Sequence, residues 1–290
     1  MKTLNWLLSI LFALQIISCQ KNGIEDIVAQ PLTASNQLNV AYGTDVKQNM
    51  DIYLPPNRTS ATTKVMIMVH GGGWNEGDKT DLTTYVDTLK ALLPSYAIFN
   101  INYRLVTQAG ANLFPTQEND VKAATEFIYN NRNKFAISDR VVMLGVSAGA
   151  HLAMLQAYKY TSPVRVRAVV NFFGPSNMVD LYENPASILV PPSAIARLFG
   201  GGTPSTAAEA YFQASPINFI TPQTAATITL QGGLDPLIRP QQQVSLKAKL
   251  DASNIINQYV LYPTETHGWT GANLTNSFLR IQTFLNTNVQ

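Results

Sequence analysis

The sequence has little cysteine, little histidine and little charge: one cysteine, three histidines and 13% charged residues among 290 positions. A single cysteine, Cys19, excludes a disulfide within the chain. The 20 lysine and arginine residues nearly balance the 18 acidic residues, so the net charge is +2. This balance gives no reason to expect nucleic acid or a strongly anionic partner. The sequence also lacks internal repeats and low-complexity tracts, and its 46% hydrophobic content indicates one folded domain.

The N-terminal apolar run, residues 4–17, is shorter than the roughly 20 residues that a membrane-spanning helix needs. It predicts a secretory signal over residues 1–18. The run ends in Ile16-Ile17-Ser18-Cys19, which resembles the lipobox of bacterial lipoproteins, where the cysteine is lipidated and becomes the mature N-terminus. We therefore expect Cys19 to carry lipid and residues 19–33 to form a polar tether. The protein is then exported and held at the periplasmic or outer-membrane surface by this anchor alone. The alternative is an ordinary cleaved signal whose cysteine is discarded.

Apolar runs alternate with amphipathic stretches over residues 34–290. The pattern predicts strands at residues 38–42, 50–54, 65–69, 97–101, 140–146, 166–173, 227–230 and 258–261. It predicts helices at residues 82–93, 117–131, 241–250 and 276–285. This alternation indicates a mostly parallel, doubly wound α/β sheet, with the first two strands forming an N-terminal hairpin. Residues 174–221 have weak periodicity and connect two core strands, so we expect them to form a small cap.

In such sheets the active site lies at the carboxyl ends of the strands. The run 140–146 leads into Gly145-Val146-Ser147-Ala148-Gly149 and then into an apolar helix. This G-x-S-x-G sequence predicts a nucleophile elbow, in which Ser147 occupies a strained turn with its hydroxyl exposed. The motif alone also fits a glycine-rich turn without chemistry, so its partners along the chain decide between the two.

Three further groups follow predicted strands. His70-Gly71-Gly72-Gly73-Trp74 comes directly after residues 65–69, and its glycines let backbone N–H groups approach a ligand, which predicts an oxyanion hole. Asp235 follows the strand at 227–230, and His267 follows the last strand. The order Ser147, Asp235, His267 is the order of a hydrolase triad on an α/β sheet.

Other titratable residues are candidates for the same roles. His151 is interpreted as a packed, hydrogen-bonded neighbour of the elbow and His70 as an organiser of the glycine loop. With only three histidines in the chain, His267 is left as the base. Asp180 is an alternative acid, whereas Glu265 lies too close in sequence to orient His267. Three further charged residues are interpreted as structural: Asp78, Arg104 and Asp120.

These motifs resemble those of α/β-hydrolase carboxylesterases, similar to the hormone-sensitive-lipase, acetyl-esterase and arylformamidase groups. The resemblance covers nearly all of residues 34–290 and rests on four segments: His70 to Trp74, Asn102 to Leu105, Phe114-Pro115 with Asp120, and Gly145 to Gly149. The sequence departs from these relatives at Val146, where lipases often carry aspartate, and at Gln231, where histidine is common. The resemblance implies a serine hydrolase that needs no metal or cofactor. It implies that Ser147 is the nucleophile, His267 the base and Asp235 the acid of the triad. The implied oxyanion donors are the N–H groups of Gly72, Gly73 and Ala148.

We expect short acyl groups, acetate above all, on an alcohol that includes sugar hydroxyls. A small cap rich in proline, glycine and alanine offers little apolar surface to a long acyl chain. Trp74, Tyr103 and Trp269 are predicted to contact the substrate through flat faces suited to a sugar ring or a feruloyl group, with ordinary packing as the alternative for each. Amide hydrolysis by the same triad and a catalytically silent binding protein are the alternative functions. The expected partner is a small-molecule or carbohydrate ester, and the oligomeric state is left open.

Overall fold

A computed structural model describes residues 31–290. The predicted signal, Cys19 and nearly all of the predicted tether lie outside the described residues. The described part contains the whole of the predicted domain at 34–290. Within residues 31–290, no helix combines the length and the apolar composition needed to cross a bilayer.

The described residues form a single mixed sheet. Its strands are β1 (Ser35–Ala41), β2 (Asn49–Leu54), β3 (Lys64–Val69), β4 (Tyr96–Ile101), β5 (Val141–Val146), β6 (Val166–Phe172), β7 (Ala226–Gly232) and β8 (Asn257–Tyr262). Their order across the sheet is β1-β2-β4-β3-β5-β6-β7-β8. β2 pairs antiparallel with β1 and with β4, whereas the later neighbours pair in parallel. The predicted hairpin and the mostly parallel, doubly wound sheet are confirmed.

Helices cover both faces of this sheet. They are α1 (Thr83–Leu92), α2 (Thr116–Asn130), α3 (Arg132–Phe135), α4 (Ala148–Lys159), α5 (Met178–Glu183), α6 (Pro192–Leu198), α7 (Ala208–Gln213), α8 (Pro240–Ala252) and α9 (Gly271–Asn288). The four predicted helices correspond to α1, α2, α8 and α9, and α4 continues the elbow. A short 3-10 turn at Lys79–Leu82 precedes α1.

The continuous apolar run of β3 is buried on both faces, as its composition predicts. Val65, Ile67 and Val69 pack into the core shared with α2 and α4, whereas Met66 and Met68 point into the opposite core with α1 and α9. Each of these five side chains is at most 1% exposed. Because the strand body is closed to solvent on both sides, polar groups emerge only at its end, and the loops after β3, β5, β7 and β8 carry the candidate site.

The segment expected to form a cap, residues 174–221, contains α5, α6, α7 and a 3-10 turn at Pro216–Phe219. The three helices have six or seven residues each. Such helices make about two turns or fewer, which is too short for a hydrophobic period to appear in the sequence. For this reason the sequence indicated a cap without its helices.

Candidate active site

The elbow at Ser147 lies between β5 and α4. Ser147 has φ 53° and ψ −120°, a conformation that residues other than glycine seldom adopt. Its N–H donates to Phe172 O at 2.8 Å, which ties the turn to the neighbouring strand β6. A Cβ atom on Gly149 would collide with the backbone oxygen of Val69, so glycine at this position lets α4 begin directly against the end of β3. The turn therefore holds the serine hydroxyl at the carboxyl end of the sheet.

Three side chains from separate loops form a hydrogen-bonded relay. His267 Nε2 lies 2.9 Å from Ser147 Oγ, and His267 Nδ1 lies 2.8 Å from Asp235 Oδ2. Because an ionised carboxylate can only accept, Nδ1 carries the proton and Nε2 is left to accept the hydroxyl proton of the serine. Asp180, the alternative acid, instead pairs with Arg239 at 3.0 Å.

Four donors hold the Asp235 carboxylate. Oδ1 accepts from Leu237 N at 2.8 Å and from Ile238 N at 2.9 Å. Oδ2 accepts from His267 and also from Gln231 Nε2 at 2.9 Å. Gln231 is completely buried and makes a further bond to Ile238 O at 3.1 Å, so its amide has no freedom to turn away. Sequence reasoning did not assign Gln231 to the site; its only signal there was the departure from histidine.

The loop that carries His267 crosses the end of β7. A Cβ atom on Gly232 would collide with the backbone oxygen of Thr266, so the loop descends onto a strand that offers no side chain at that point. Thr266 and Gly268 form a small antiparallel bridge around the histidine. The Phe173 ring packs against the imidazole with centroids 4.5 Å apart. The bridge holds the backbone around His267, and the Phe173 ring packs against its side chain.

The glycine loop after β3 lies beside the nucleophile, since a Cβ atom on Gly71 would stand 3.4 Å from Ser147 Cβ. Tyr103 Oη lies 3.1 Å from His70 O and 3.2 Å from Gly71 O, and His70 Nδ1 lies 2.7 Å from Gly71 O. In a trans peptide the carbonyl and the following N–H point in opposite directions. Holding the Gly71 carbonyl therefore directs the Gly72 N–H to the side away from Tyr103.

The next peptide of the loop is held in the same way. Gly72 O accepts from Asn75 N at 3.1 Å and from Glu76 N at 2.9 Å. Within residues 31–290, no group accepts the N–H of Gly72, Gly73 or Ala148. Ala148 is the first residue of α4, where N–H groups have no intrahelical partner and the helix dipole favours negative charge. The three predicted donors are thus available to a ligand.

Ser147, His267 and these donors line one cavity of about 650 Å³. Its apolar wall comes from the cap and from the segment before α8: Leu181, Leu189, Val190, Ala194, Ile195, Leu237 and Ile238. Its polar side chains come from other segments: Asn75, Glu76, Thr84, Tyr85 and Thr270. The cap therefore offers more continuous apolar surface than its proline, glycine and alanine content indicated.

The three aromatic residues predicted to contact the substrate separate into two groups. Trp74 and Trp269 line the cavity but are only 6% and 7% exposed, so each presents a small part of its ring. The structure corrects the prediction for Tyr103, which lies outside the cavity lining and is completely buried. Its ring stacks on the His70 ring with centroids 4.4 Å apart, and its hydroxyl is directed at the glycine loop. Tyr103 therefore supports the loop from beneath.

The remaining two histidines are buried and neutral. Burial lowers the pKa of His70, whose Nδ1 donates to Gly71 O. Burial also lowers the pKa of His151 to about 4. Their placement agrees with their interpretation as a loop organiser and a hydrogen-bonded neighbour. In the part of the chain that the structure describes, no three histidine, cysteine or acidic side chains are grouped to hold a metal ion.

Comparison with known proteins places this geometry in context. The family model BD-FAE matches residues 50–250. The esterase LipC of Mycobacterium tuberculosis is 26% identical over 244 residues, a match that covers 79% of this chain and 59% of LipC. This chain therefore spans about three fifths of that relative.

Two solved structures share the fold. A truncated carbohydrate esterase from gut microbiota superposes with a TM-score of 0.75 at 23% identity, covering 90% of this chain and 98% of that one. A bifunctional GH43-CE protein of Bacteroides eggerthii superposes with a TM-score of 0.70 at 26% identity, covering 86% of this chain and 38% of that one. The expected α/β-hydrolase architecture is confirmed, and the expected enzyme class, a hydrolase, is supported at the level of these relatives.

Proposed function

The chain belongs to the BD-FAE family of α/β-hydrolase esterases, and we propose that it is a serine carboxylesterase that acts through an acyl-enzyme. The observation that carries this proposal is the relay from Asp235 through His267 to Ser147, with distances of 2.8 and 2.9 Å. The backbone donors Gly72, Gly73 and Ala148 line the same cavity as the serine. Nucleophile, base and oxyanion donors thus meet in one place.

Each step of ester cleavage has a group to perform it. Ser147 Oγ attacks the ester carbonyl while its proton moves to His267 Nε2, and Asp235 stabilises the imidazolium through Nδ1. The N–H groups of Gly72, Gly73 and Ala148 stabilise the negative charge that develops on the carbonyl oxygen. Removal of one such donor typically costs roughly 3 kcal/mol of transition-state stabilisation. His267 then protonates the leaving alkoxide, and water repeats the sequence on the acyl-enzyme.

For the substrate we propose a short acyl group, acetate above all, on an alcohol with sugar hydroxyls. The cavity of about 650 Å³ holds both halves of the ester, so a sugar alcohol would reduce the space left for the acyl chain, and this shared volume supports the proposal in place of a lack of apolar surface in the cap. Trp74 and Trp269 add small apolar areas to the lining, and Asn75, Glu76 and Thr270 offer hydrogen-bonding groups. Apolar flat faces with polar neighbours are suited to sugar rings.

The test is a hydrolysis panel with purified protein. It comprises p-nitrophenyl esters from acetate to octanoate, acetylated xylo-oligosaccharides, a feruloyl ester, a dipeptide amide and formylkynurenine. We expect kcat/KM to fall steeply beyond butyrate and the acetylated sugars to be hydrolysed. A rise in kcat/KM from acetate to octanoate would exclude the short-acyl proposal, and faster cleavage of the amides would replace the esterase by an amide hydrolase.

We also propose that the protein is a lipoprotein of a bacterial envelope. The support is the lipobox-like sequence that ends at the sole cysteine, Cys19. An anchored esterase at the envelope would act on acylated fragments that reach the cell surface or the periplasm.

A further inference from the structure

One buried imidazole joins the cap to the loop that carries the oxyanion donors. His151 lies in α4, one turn after Ser147, and is 0% exposed. The indole Nε1 of Trp74 donates to His151 Nδ1 at 3.1 Å. His151 Nε2 donates to Ala214 O at 2.6 Å. The rings of Trp74 and His151 also meet edge to face, with centroids 5.2 Å apart.

We infer that His151 is a positioning residue that couples the cap to the glycine loop, here called the oxyanion loop because it carries Gly72 and Gly73. The cap and this loop are thereby held in one arrangement relative to Ser147. The inference rests on the proposed esterase function. His151 itself takes no part in proton transfer, because it lies outside the cavity lining and its two nitrogens contact Trp74 and Ala214, not Ser147. Its effect on the reaction passes through those two partners.

The first partner belongs to the oxyanion loop. Trp74 directly follows the donor Gly73 and has φ 64°, in the left-handed region where a residue with a side chain is strained. Fixing its indole therefore resists relaxation of the Gly73–Trp74 backbone toward a commoner conformation. Trp74 also lines the substrate cavity. The bond to His151 Nδ1 thus holds the Trp74 side chain in the cavity wall and also the backbone next to the donor Gly73.

The second partner belongs to the cap. Ala214 directly follows α7, and its carbonyl is one of those that a helix end leaves without an intrahelical partner. α4 supplies a second bond nearby, from Lys159 Nζ to Gln213 O at 3.1 Å. The end of α7 is therefore seated on α4, which also carries the elbow. α7 in turn packs against α5, which carries Leu181 of the cavity wall, so the cap wall is connected through α7 to the helix that carries the elbow.

One nitrogen of His151 accepts a hydrogen bond and the other donates one. The bond to Trp74, the Trp74 arm, can therefore be removed separately from the bond to Ala214, the cap arm. Nδ1 must be unprotonated to accept from Trp74, and Nε2 must be protonated to donate to Ala214. In His151→Asn the side-chain oxygen can take the place of Nδ1, so the Trp74 arm is kept and the cap arm is lost. In His151→Gln the amide nitrogen can take the place of Nε2, so the cap arm is kept and the Trp74 arm is lost.

The experiment measures kcat and KM of these two variants on p-nitrophenyl acetate and p-nitrophenyl butyrate, with thermal unfolding in parallel. We expect His151→Gln to lower kcat about tenfold on both esters, because the oxyanion loop relaxes. We expect His151→Asn to change kcat less than threefold and to raise KM about fivefold on the butyrate, the ester that reaches further toward the cap wall. If His151 only filled the core, both substitutions would lower the unfolding temperature, and the two variants would show the same changes in kcat and KM.

A double-mutant cycle with Trp74→Phe completes the test, since phenylalanine keeps an aromatic ring but has no N–H. If His151 acts through Trp74, His151→Gln adds no further loss of kcat to Trp74→Phe. Additive losses, or identical kinetic profiles of the Asn and Gln variants, would overturn the inference. Wild-type protein that hydrolyses neither ester would refute the proposed function instead, so the two failures are distinct.

Discussion

The hydroxyl of Tyr103 lies 3.2 Å from the carbonyl oxygen of Gly71, beneath the loop that faces the nucleophile. Tyr103 comes from the segment after β4, whereas the loop follows β3, and the two strands are parallel neighbours. A side chain from one strand end thereby sets the orientation of a peptide at the next. Because the Gly71 carbonyl and the Gly72 N–H belong to the same peptide, this contact bears on the oxyanion hole.

We expect Tyr103→Phe to lower kcat about tenfold with a small change in KM, because the hydroxyl is lost while the ring can still stack on His70. Steady-state kinetics on p-nitrophenyl acetate measure the effect. Tyr158→Phe is a matched control, because its hydroxyl meets Thr227 away from the loop. Equal losses in the two variants would show that the effect is general destabilisation.

Removal of any member of the relay is expected to reduce hydrolysis by about four orders of magnitude while the fold persists. The variants are Ser147→Ala, His267→Ala and Asp235→Asn. A fluorophosphonate probe should label the wild-type protein at Ser147 alone, read by peptide mass spectrometry. Label at another serine, or near-normal turnover in Ser147→Ala, would remove Ser147 from its role.

The carboxylate of Glu76 is expected to discriminate among substrates by charge. Within the described residues it is the one acidic side chain of the cavity lining, and Glu76 is exposed. Glu76→Gln should lower kcat/KM for a cationic acetyl ester such as acetylcholine about threefold and raise it for an anionic one such as acetylated glycolate. The kcat/KM for an uncharged acetyl ester of the same size should not change in Glu76→Gln.

The control for this effect is Glu126→Gln, which removes a carboxylate that pairs with Lys122 on α2 and lies outside the cavity lining. The difference between the charged esters should shrink as ionic strength rises, since salt screens exposed charges. Charge selectivity that is the same in Glu76→Gln and in the wild type would contradict the assignment.

The protein is expected to lose stability in mild acid through His151. Burial lowers the pKa of this histidine from 6.5 to about 4, so between these pH values the unfolded chain binds a proton that the folded protein does not. The contribution of His151 to stability is then fully present above pH 6.5 and is lost as the pH drops toward 4, a loss of roughly 3 kcal/mol.

Urea unfolding at pH 7 and pH 4.5 measures this loss. His70, whose pKa is also lowered by burial, contributes in the same direction. His151→Gln should therefore reduce the loss without abolishing it. A loss of equal size in His151→Gln and in the wild type would show that other groups titrate in this range.

Lipidation of Cys19 is expected to be visible in the mass of the mature N-terminus. Intact mass spectrometry of protein purified from a bacterial membrane fraction should show acyl and diacylglyceryl groups on Cys19. In Cys19→Ser the modification should be absent and the protein should leave the membrane fraction. An unmodified N-terminus generated at another position would contradict the lipoprotein assignment.

The strand pattern and the three relay residues could be predicted from the sequence because each depends on short-range signals. Ser147, Asp235 and His267 each follow an apolar strand, and parallel strands end at the same edge of a sheet. Gln231 and Tyr103 could not be assigned in this way. Gln231 reaches Asp235 only because the loop after β7 turns back on itself, and Tyr103 reaches the glycine loop only through the pairing of β3 with β4.

The apolar surface that residues 174–221 present to the cavity could not be predicted from their composition. Its composition suggested little apolar lining, yet Leu181, Val190 and Ile195 converge on the cavity from separate short elements. The convergence depends on how α5 and α6 pack on each other, and helices of this length carry too few residues for a periodic signal. Composition therefore underestimated the apolar surface, because it carries no information on how the side chains converge.

The crossing at Gly232 sets a limit on the reach of the histidine loop. β8 is separated from β5 by two intervening strands, so its end stands roughly 14 Å from the elbow at about 4.8 Å per strand. The chain starts across this distance by a close path: residues 262–265 form a turn in which Glu265 N donates to Tyr262 O at 3.1 Å, and the carbonyl of Thr266 then lies directly over Gly232 on β7. With a side chain at position 232 the loop could not lie so close to the strand, and the imidazole would be displaced from Ser147. The close approach of one backbone segment to another, more than the chemistry of any side chain, thus requires glycine at position 232.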